Sequence, residues 1–213
     1  MTPEIASQKS EDLCRLAPVI PVLVLNDPAV AADLARALIK GGLPVLEVTL
    51  RTPLALDVIA EMAKIEGGLV GAGSLLTADN VADAVKAGAR FGVSPGSTPQ
   101  LLDVAEAADL PMLPGAATPS EVMALLERGY RMQKFFPAEI NGGAAALKAI
   151  GAPIPQVKFC PTGGVSLKNA QDYLSLDNTL CVGGSWVAPA DLIAAKNWDA
   201  ITDLAAEAAA LAP

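Results

Sequence analysis

The chain contains no histidine. That absence removes the serine–histidine and cysteine–histidine nucleophile systems, and with them the imidazole ligands of most catalytic zinc sites. Acid–base or covalent chemistry must then fall to carboxylates, lysine, tyrosine, cysteine or water. Cysteine is scarce: Cys14, Cys160 and Cys181 are scattered, odd in number and in no C-x-x-C pair. A disulfide framework is not expected, and a reducing, cytoplasmic compartment is. Aromatic residues make up 4% of the chain against an apolar fraction of 52%, a profile suited to helices packed tightly on a parallel sheet and opposed to disorder. No apolar run reaches the roughly 18 residues of a membrane span, and the polar N-terminal stretch carries no signal-peptide pattern. Basic residues are outnumbered 15 to 23, for a net charge of −8. That balance disfavours nucleic acid or an acidic membrane as partner, but backbone N–H groups can still bind an anion locally.

What is present is a strand-like run followed by a helix-like run, repeated eight times. The apolar runs fall at 18–25, 43–50, 68–76, 91–95, 111–117, 132–138, 156–162 and 179–186. Alanine- and leucine-rich segments with helical spacing lie between them, such as 29–42 and 80–89. Each connection is long enough for a crossover helix, so neighbouring strands should be parallel. Gly41, Gly88 and Gly129 fit helix C-cap positions. Eight such units without a composition break predict one (β/α)₈ TIM-barrel domain over 1–213, with an extra N-terminal helix at 4–16. A doubly wound open sheet is the rival, but PVLVLNDP follows strand one where that fold carries a glycine-rich fingerprint.

In a barrel, chemistry sits at the C-terminal ends of the strands, so polar residues within the apolar runs single themselves out. Strand two reads VLEVTLR over 45–51. Period-two alternation puts Glu47, Thr49 and Arg51 on one face and the aliphatics on the other. Glu47 is read as an interior acid/base, and Arg51 as a bidentate holder of a substrate carboxylate; the plain alternative is a structural Glu–Arg pair. Strand six holds Lys134 inside MQKFFP. Burial there favours a neutral amine, which can condense with a ketone to an iminium. The alternative is a lysine whose head group reaches solvent, and Lys158 on strand seven is a rival amine. Glu47 and Lys134 offset each other's burial and together supply an iminium former and a proton shuttle. Strands seven and eight end in Thr162-Gly163-Gly164 and Gly183-Gly184-Ser185. Paired glycines there suit a phosphate site, or plain tight turns. Thr162, Ser185 and Ser74 offer hydroxyls, and Ser94-Pro95-Gly96 a wall or a turn.

VLEVTLRT, GAGSLL, VSPG, KFFPAE, KFCPTGG and CVGGSW, in this order from Pro18 to about Pro189, resemble the 2-keto-3-deoxy-6-phosphogluconate (KDPG) aldolases, a family often bifunctional toward 4-hydroxy-2-oxoglutarate (KHG). The resemblance implies a class I aldolase that cleaves KDPG to pyruvate and glyceraldehyde 3-phosphate, and KHG to pyruvate and glyoxylate. Lys134 would form the Schiff base and Glu47 would transfer protons, with no cofactor and no metal. Arg51 and Ser74 would hold the keto-acid carboxylate, and Pro95 and Phe136 would line the pocket. Thr162 would bear on the stereochemistry of the hydroxyl-bearing carbon, and Gly163, Gly164, Gly183, Gly184 and Ser185 would hold the phosphate. The implied partners are a small 2-keto acid and a phosphorylated aldehyde, in a homotrimer. One departure stands out: Ser74 occupies a place where the family usually has threonine. The other readings are a phosphosugar isomerase or epimerase barrel, a non-catalytic phosphometabolite-binding barrel, and a carboxylate-liganded metal aldolase.

Overall fold

The computed structural model describes residues 1–211. Helix α1 (Pro3–Cys14) opens on Thr2, whose hydroxyl accepts from the Ile5 N–H, with proline in its first turn. Its buried positions Ala6, Ser7, Ser10 and Cys14 recur at helical spacing and face the starts of the strands. Ser7 Oγ accepts from the Arg131 and Met132 amides at 2.8 and 3.0 Å, and Ser10 Oγ donates to the Met112 carbonyl at 2.8 Å. The helix thus closes the N-terminal mouth of the barrel.

The strands are β1 (Val19–Leu23), β2 (Val45–Thr49), β3 (Leu69–Gly73) and β4 (Gly92–Val93). Next come β5 in two pieces (Met112–Leu113 and Gly115–Ala116), β6 (Met132–Phe135), β7 (Lys158–Pro161) and β8 (Val182–Gly184). All their pairings are parallel. One ladder runs from the first piece of β5 through β4, β3, β2 and β1 to β8; the other joins the second piece of β5 to β6 and β7. Pro114, which has no N–H to donate, divides β5, yet its carbonyl still accepts from the Lys134 amide at 2.9 Å. At the other seam, bridges from Phe159 to Thr179 and from Thr162 to Gly183 join β7 to β8. Eight parallel strands therefore close into the expected barrel.

Alternation sorts the side chains into two cores. Leu46, Val48, Phe135, Phe159 and Val182 pack outward among the helices. Ile20, Val45, Phe91, Val93, Leu113, Met132, Cys160 and Cys181 fill the interior, with Cys14 reaching them from below. The cap expected at Gly41 is present. Gly41 has φ −77°, and Gly42, at +95°, takes the left-handed position after α2 (Ala31–Lys40). Gly41 is needed for space: a Cβ there would lie 2.4 Å from Ala205 Cβ and 2.6 Å from the Thr202 carbonyl of the C-terminal helix. Among the described residues, no helix is long and apolar enough to cross a membrane.

Candidate active site

Glu47 on β2 and Lys134 on β6 both project into the barrel, with Lys134 Nζ 3.4 Å from Glu47 Oε1. They are 3% and 4% exposed. Either charge alone would carry a desolvation penalty of several kcal/mol, which the pair offsets by mutual attraction. Room for the carboxylate comes from β3. A Cβ on Gly73 would sit 2.2 Å from Glu47 Oε1 and 2.7 Å from its Cγ. One layer lower, the Phe91 ring lies against Gly71, where a Cβ would approach it to 2.5 Å. Phe91 and the three thiols thus form an apolar floor. The Cys14 and Cys181 thiols are pushed above the ordinary range, Cys14 first by its hydrogen bond to Cys160 and Cys181 first by its hydrogen bond to Cys14, with burial adding to both, while the same hydrogen bonds hold Cys160 below it.

Above the pair, Phe136 places its ring centroid 5.3 Å from Lys134 Nζ, a favourable seat for a cation over a π-face. Arg51 Nε donates to Ser74 Oγ at 3.2 Å, so the two groups expected to share a carboxylate are already in contact. Both stand just past the ends of their strands. A cavity of about 160 Å³ opens at this end, lined by Arg51, Phe136, Thr162, Gly163, Gly164, Gly183, Gly184 and Ser185. Val22, Val24 and Val165 complete its walls. Thr162 fits because Gly183 has no side chain: a Cβ there would be 2.3 Å from Thr162 Oγ1.

Pro95 is not among the lining residues. It follows β4 at the same end of the barrel, and its carbonyl would lie 2.3 Å from a Cβ on Gly115. Lys158 starts β7 beside Met132, one interior layer below Lys134. Its Nζ donates to the Asp177 carbonyl at 2.7 Å. It lines a separate depression with Lys148, Asp177 and Asn178. The rival amine is therefore committed elsewhere. Ser94 is fully buried behind the site, and its hydroxyl has no hydrogen-bond partner among the described residues.

Sequence reasoning missed the parts of this site that have no chemistry of their own. Gly73 matters as an absent side chain, and so does Gly183, which the sequence had offered only for the phosphate; that reading needs the neighbour across the ladder. Val22 and Val24 carry no signal beyond strand propensity, although the pairing of Val22 with Glu47 follows once β1 and β2 are adjacent. The assembled site offers a buried amine beside a carboxylate, a cation–hydroxyl pair above them, and a glycine-rich rim.

The family model for KDPG and KHG aldolase matches residues 10–204. The chain is 49% identical over 202 residues to the 2-dehydro-3-deoxy-phosphogluconate aldolase of Pseudoalteromonas atlantica, covering 94% of each chain. It is 48% identical over 200 residues to the KHG/KDPG aldolase of Escherichia coli, covering 93% of this chain and 94% of that one. Among solved structures it is similar to a Legionella pneumophila KDPG aldolase with pyruvate captured as a covalent carbinolamine. That match has a TM-score of 0.91 and 45% identity, over 94% of this chain and 98% of that one.

Proposed function

Since the chain belongs to the KDPG and KHG aldolase family, we propose that Lys134 and Glu47 carry its chemistry. The protein is a class I aldolase that acts through a Schiff base, without a cofactor, and cleaves KDPG to pyruvate and glyceraldehyde 3-phosphate. The observation that carries the residue assignment is the 3.4 Å approach of two buried groups from opposite sides of the barrel. Lys134 Nζ attacks the C2 carbonyl to give a carbinolamine, and water leaves with a proton from Glu47. The iminium accepts the electron pair of the C3–C4 bond while Glu47, through water, takes the C4 hydroxyl proton. Glyceraldehyde 3-phosphate departs, the enamine is protonated at C3, and hydrolysis frees pyruvate and Lys134.

Arg51 and Ser74 hold the substrate carboxylate, with Phe136 and Pro95 shaping the wall around the reacting carbons. Thr162 faces the hydroxyl-bearing carbon. The phosphate lies against Gly163, Gly164, Gly183, Gly184 and Ser185. KHG, lacking the phosphate, is a second substrate, cleaved to pyruvate and glyoxylate. The whole chain acts as one catalytic domain, in a homotrimer and in the cytoplasm.

Purified protein given KDPG should release pyruvate and glyceraldehyde 3-phosphate in equal amounts. Lys134→Met should abolish both products, and chelator should change neither. An isomerase barrel would yield no pyruvate; full activity in Lys134→Met would refute the assignment of that lysine.

A further inference from the structure

Three consecutive carbonyls on the rim after β7 are tied back, away from the cavity. The Thr162 carbonyl accepts from the Ala138 amide at 2.8 Å and the Gly163 carbonyl from the Glu139 amide at 3.1 Å. The Gly164 carbonyl accepts from Asn169 Nδ2 at 3.1 Å. In a planar trans peptide the C=O and the following N–H point in opposite directions. Fixing these carbonyls outward therefore turns the N–H groups of Gly164 and Val165, both cavity-lining residues, toward the cavity, while the Gly163 N–H faces the Gly183 carbonyl through the bridge that joins β7 to β8. Convergent backbone amides of this kind form an anion seat.

The tie is itself held from behind. Gly163 and Gly164 have φ of +99° and +81°, so this stretch adopts a conformation that only glycine takes readily. Gly164 lies directly on the Glu139 side chain: a Cβ there would be 2.6 Å from Glu139 Cγ. Tyr173, buried in the helix Ala170–Leu174, donates its hydroxyl to Glu139 Oε1 in a short hydrogen bond. Burial, and then the neighbouring carboxylate, push the Tyr173 hydroxyl above its ordinary pKa, so it remains the donor. Asn169, just before that helix, is braced in turn, its Oδ1 accepting from the Ser166 amide at 2.7 Å.

We propose that Glu139, Tyr173 and Asn169 are positioning residues that aim the Gly164 and Val165 backbone amides at the substrate phosphate, and so set the preference for phosphorylated over unphosphorylated substrates. The inference rests on the phosphate reading of this rim. None of the three is among the residues lining the cavity, so their effect must pass through the loop.

The test compares KDPG with KHG, which shares the keto-acid end but has no phosphate. Tyr173→Phe and Asn169→Ala should each raise KM for KDPG about five- to tenfold, the scale of one lost hydrogen bond, with kcat held within about twofold. Both constants for KHG should stay within about twofold of the parent. Asn169→Ala leaves the helix packing of Tyr173 intact, which keeps the test valid should Tyr173→Phe fold poorly; thermal melts identify that case. Ser185→Asp is the control, placing a carboxylate at the cavity mouth. A substrate split in the brace variants supports the inference. A split in Ser185→Asp alone overturns the brace and leaves the phosphate site standing. No split in any variant overturns both, and equal losses on both substrates would make the brace merely structural.

Discussion

Ser74 holds its hydroxyl 3.2 Å from Arg51 Nε while its own backbone stands at φ +62°. A left-handed backbone is uncommon for any side-chain-bearing residue and worst for a β-branched one, at roughly 1–3 kcal/mol of strain. Serine supplies the hydroxyl here without the branched Cβ that threonine would bring. Ser74→Thr should therefore lower stability by about 1 kcal/mol, read from chemical denaturation, with KDPG cleavage retained. An equal or higher denaturation midpoint would remove the strain argument. The chemistry-bearing residues were legible in the sequence at this scale because a charge inside an apolar strand has few bland explanations. Glu47 and Lys134 announced themselves by type and alternation. The brace residues did not: Tyr173 reads as one more buried aromatic, and Glu139 as a surface acid after a proline.

At the level of elements, β3 shows how a strand serves a site without contributing a reactive group. Its inward positions Gly71 and Gly73 receive the Phe91 ring and the Glu47 carboxylate. Gly73→Ala would push Glu47 away from Lys134, and a misplacement of about 1 Å can lower turnover on the order of a hundredfold. Overpacking itself should destabilise by roughly 1–3 kcal/mol, leaving a folded protein whose kcat loss exceeds any loss of native fraction. Wild-type kcat in a folded Gly73→Ala variant would show that Glu47 has room to spare. The apolar runs located all eight strands, since fully buried parallel strands read as continuous hydrophobic segments. Their ends were less legible. Each run was longer than its strand because apolar residues continue past the ladder, some buried like Leu25 and Leu75 and some exposed like Val24 and Leu76, and Pro114 divides β5 within a single apolar run. The cap of α2 falls on Gly41 as the sequence predicts, but how it shares its role with Gly42 needs the structure. Gly41-Gly42 offers two glycines, and only packing against the C-terminal helix shows which one is spared a Cβ and which one turns the chain.

The molecule as a whole brings together residues far apart in sequence: Glu47 and Lys134 are separated by 87 positions and meet only when the ring of strands closes. The repeat of strand and helix implied that closure, and the family resemblance supplied the roles. The assembly state is legible from neither periodicity nor a single chain. Ile140 and Leu76, 86% and 64% exposed, are large apolar groups on loops at the catalytic end, in keeping with a covered surface there. Sedimentation at micromolar concentration should give three times the chain mass of 21.7 kDa; a monomer would contradict the trimer. On the proposed assignment, closure of the ring places an amine able to condense with a keto acid beside its proton shuttle. Borohydride added in the presence of pyruvate should fix a three-carbon adduct on the protein, and peptide mapping by mass spectrometry should place it on Lys134. An adduct on Lys158, or none at all, would contradict it.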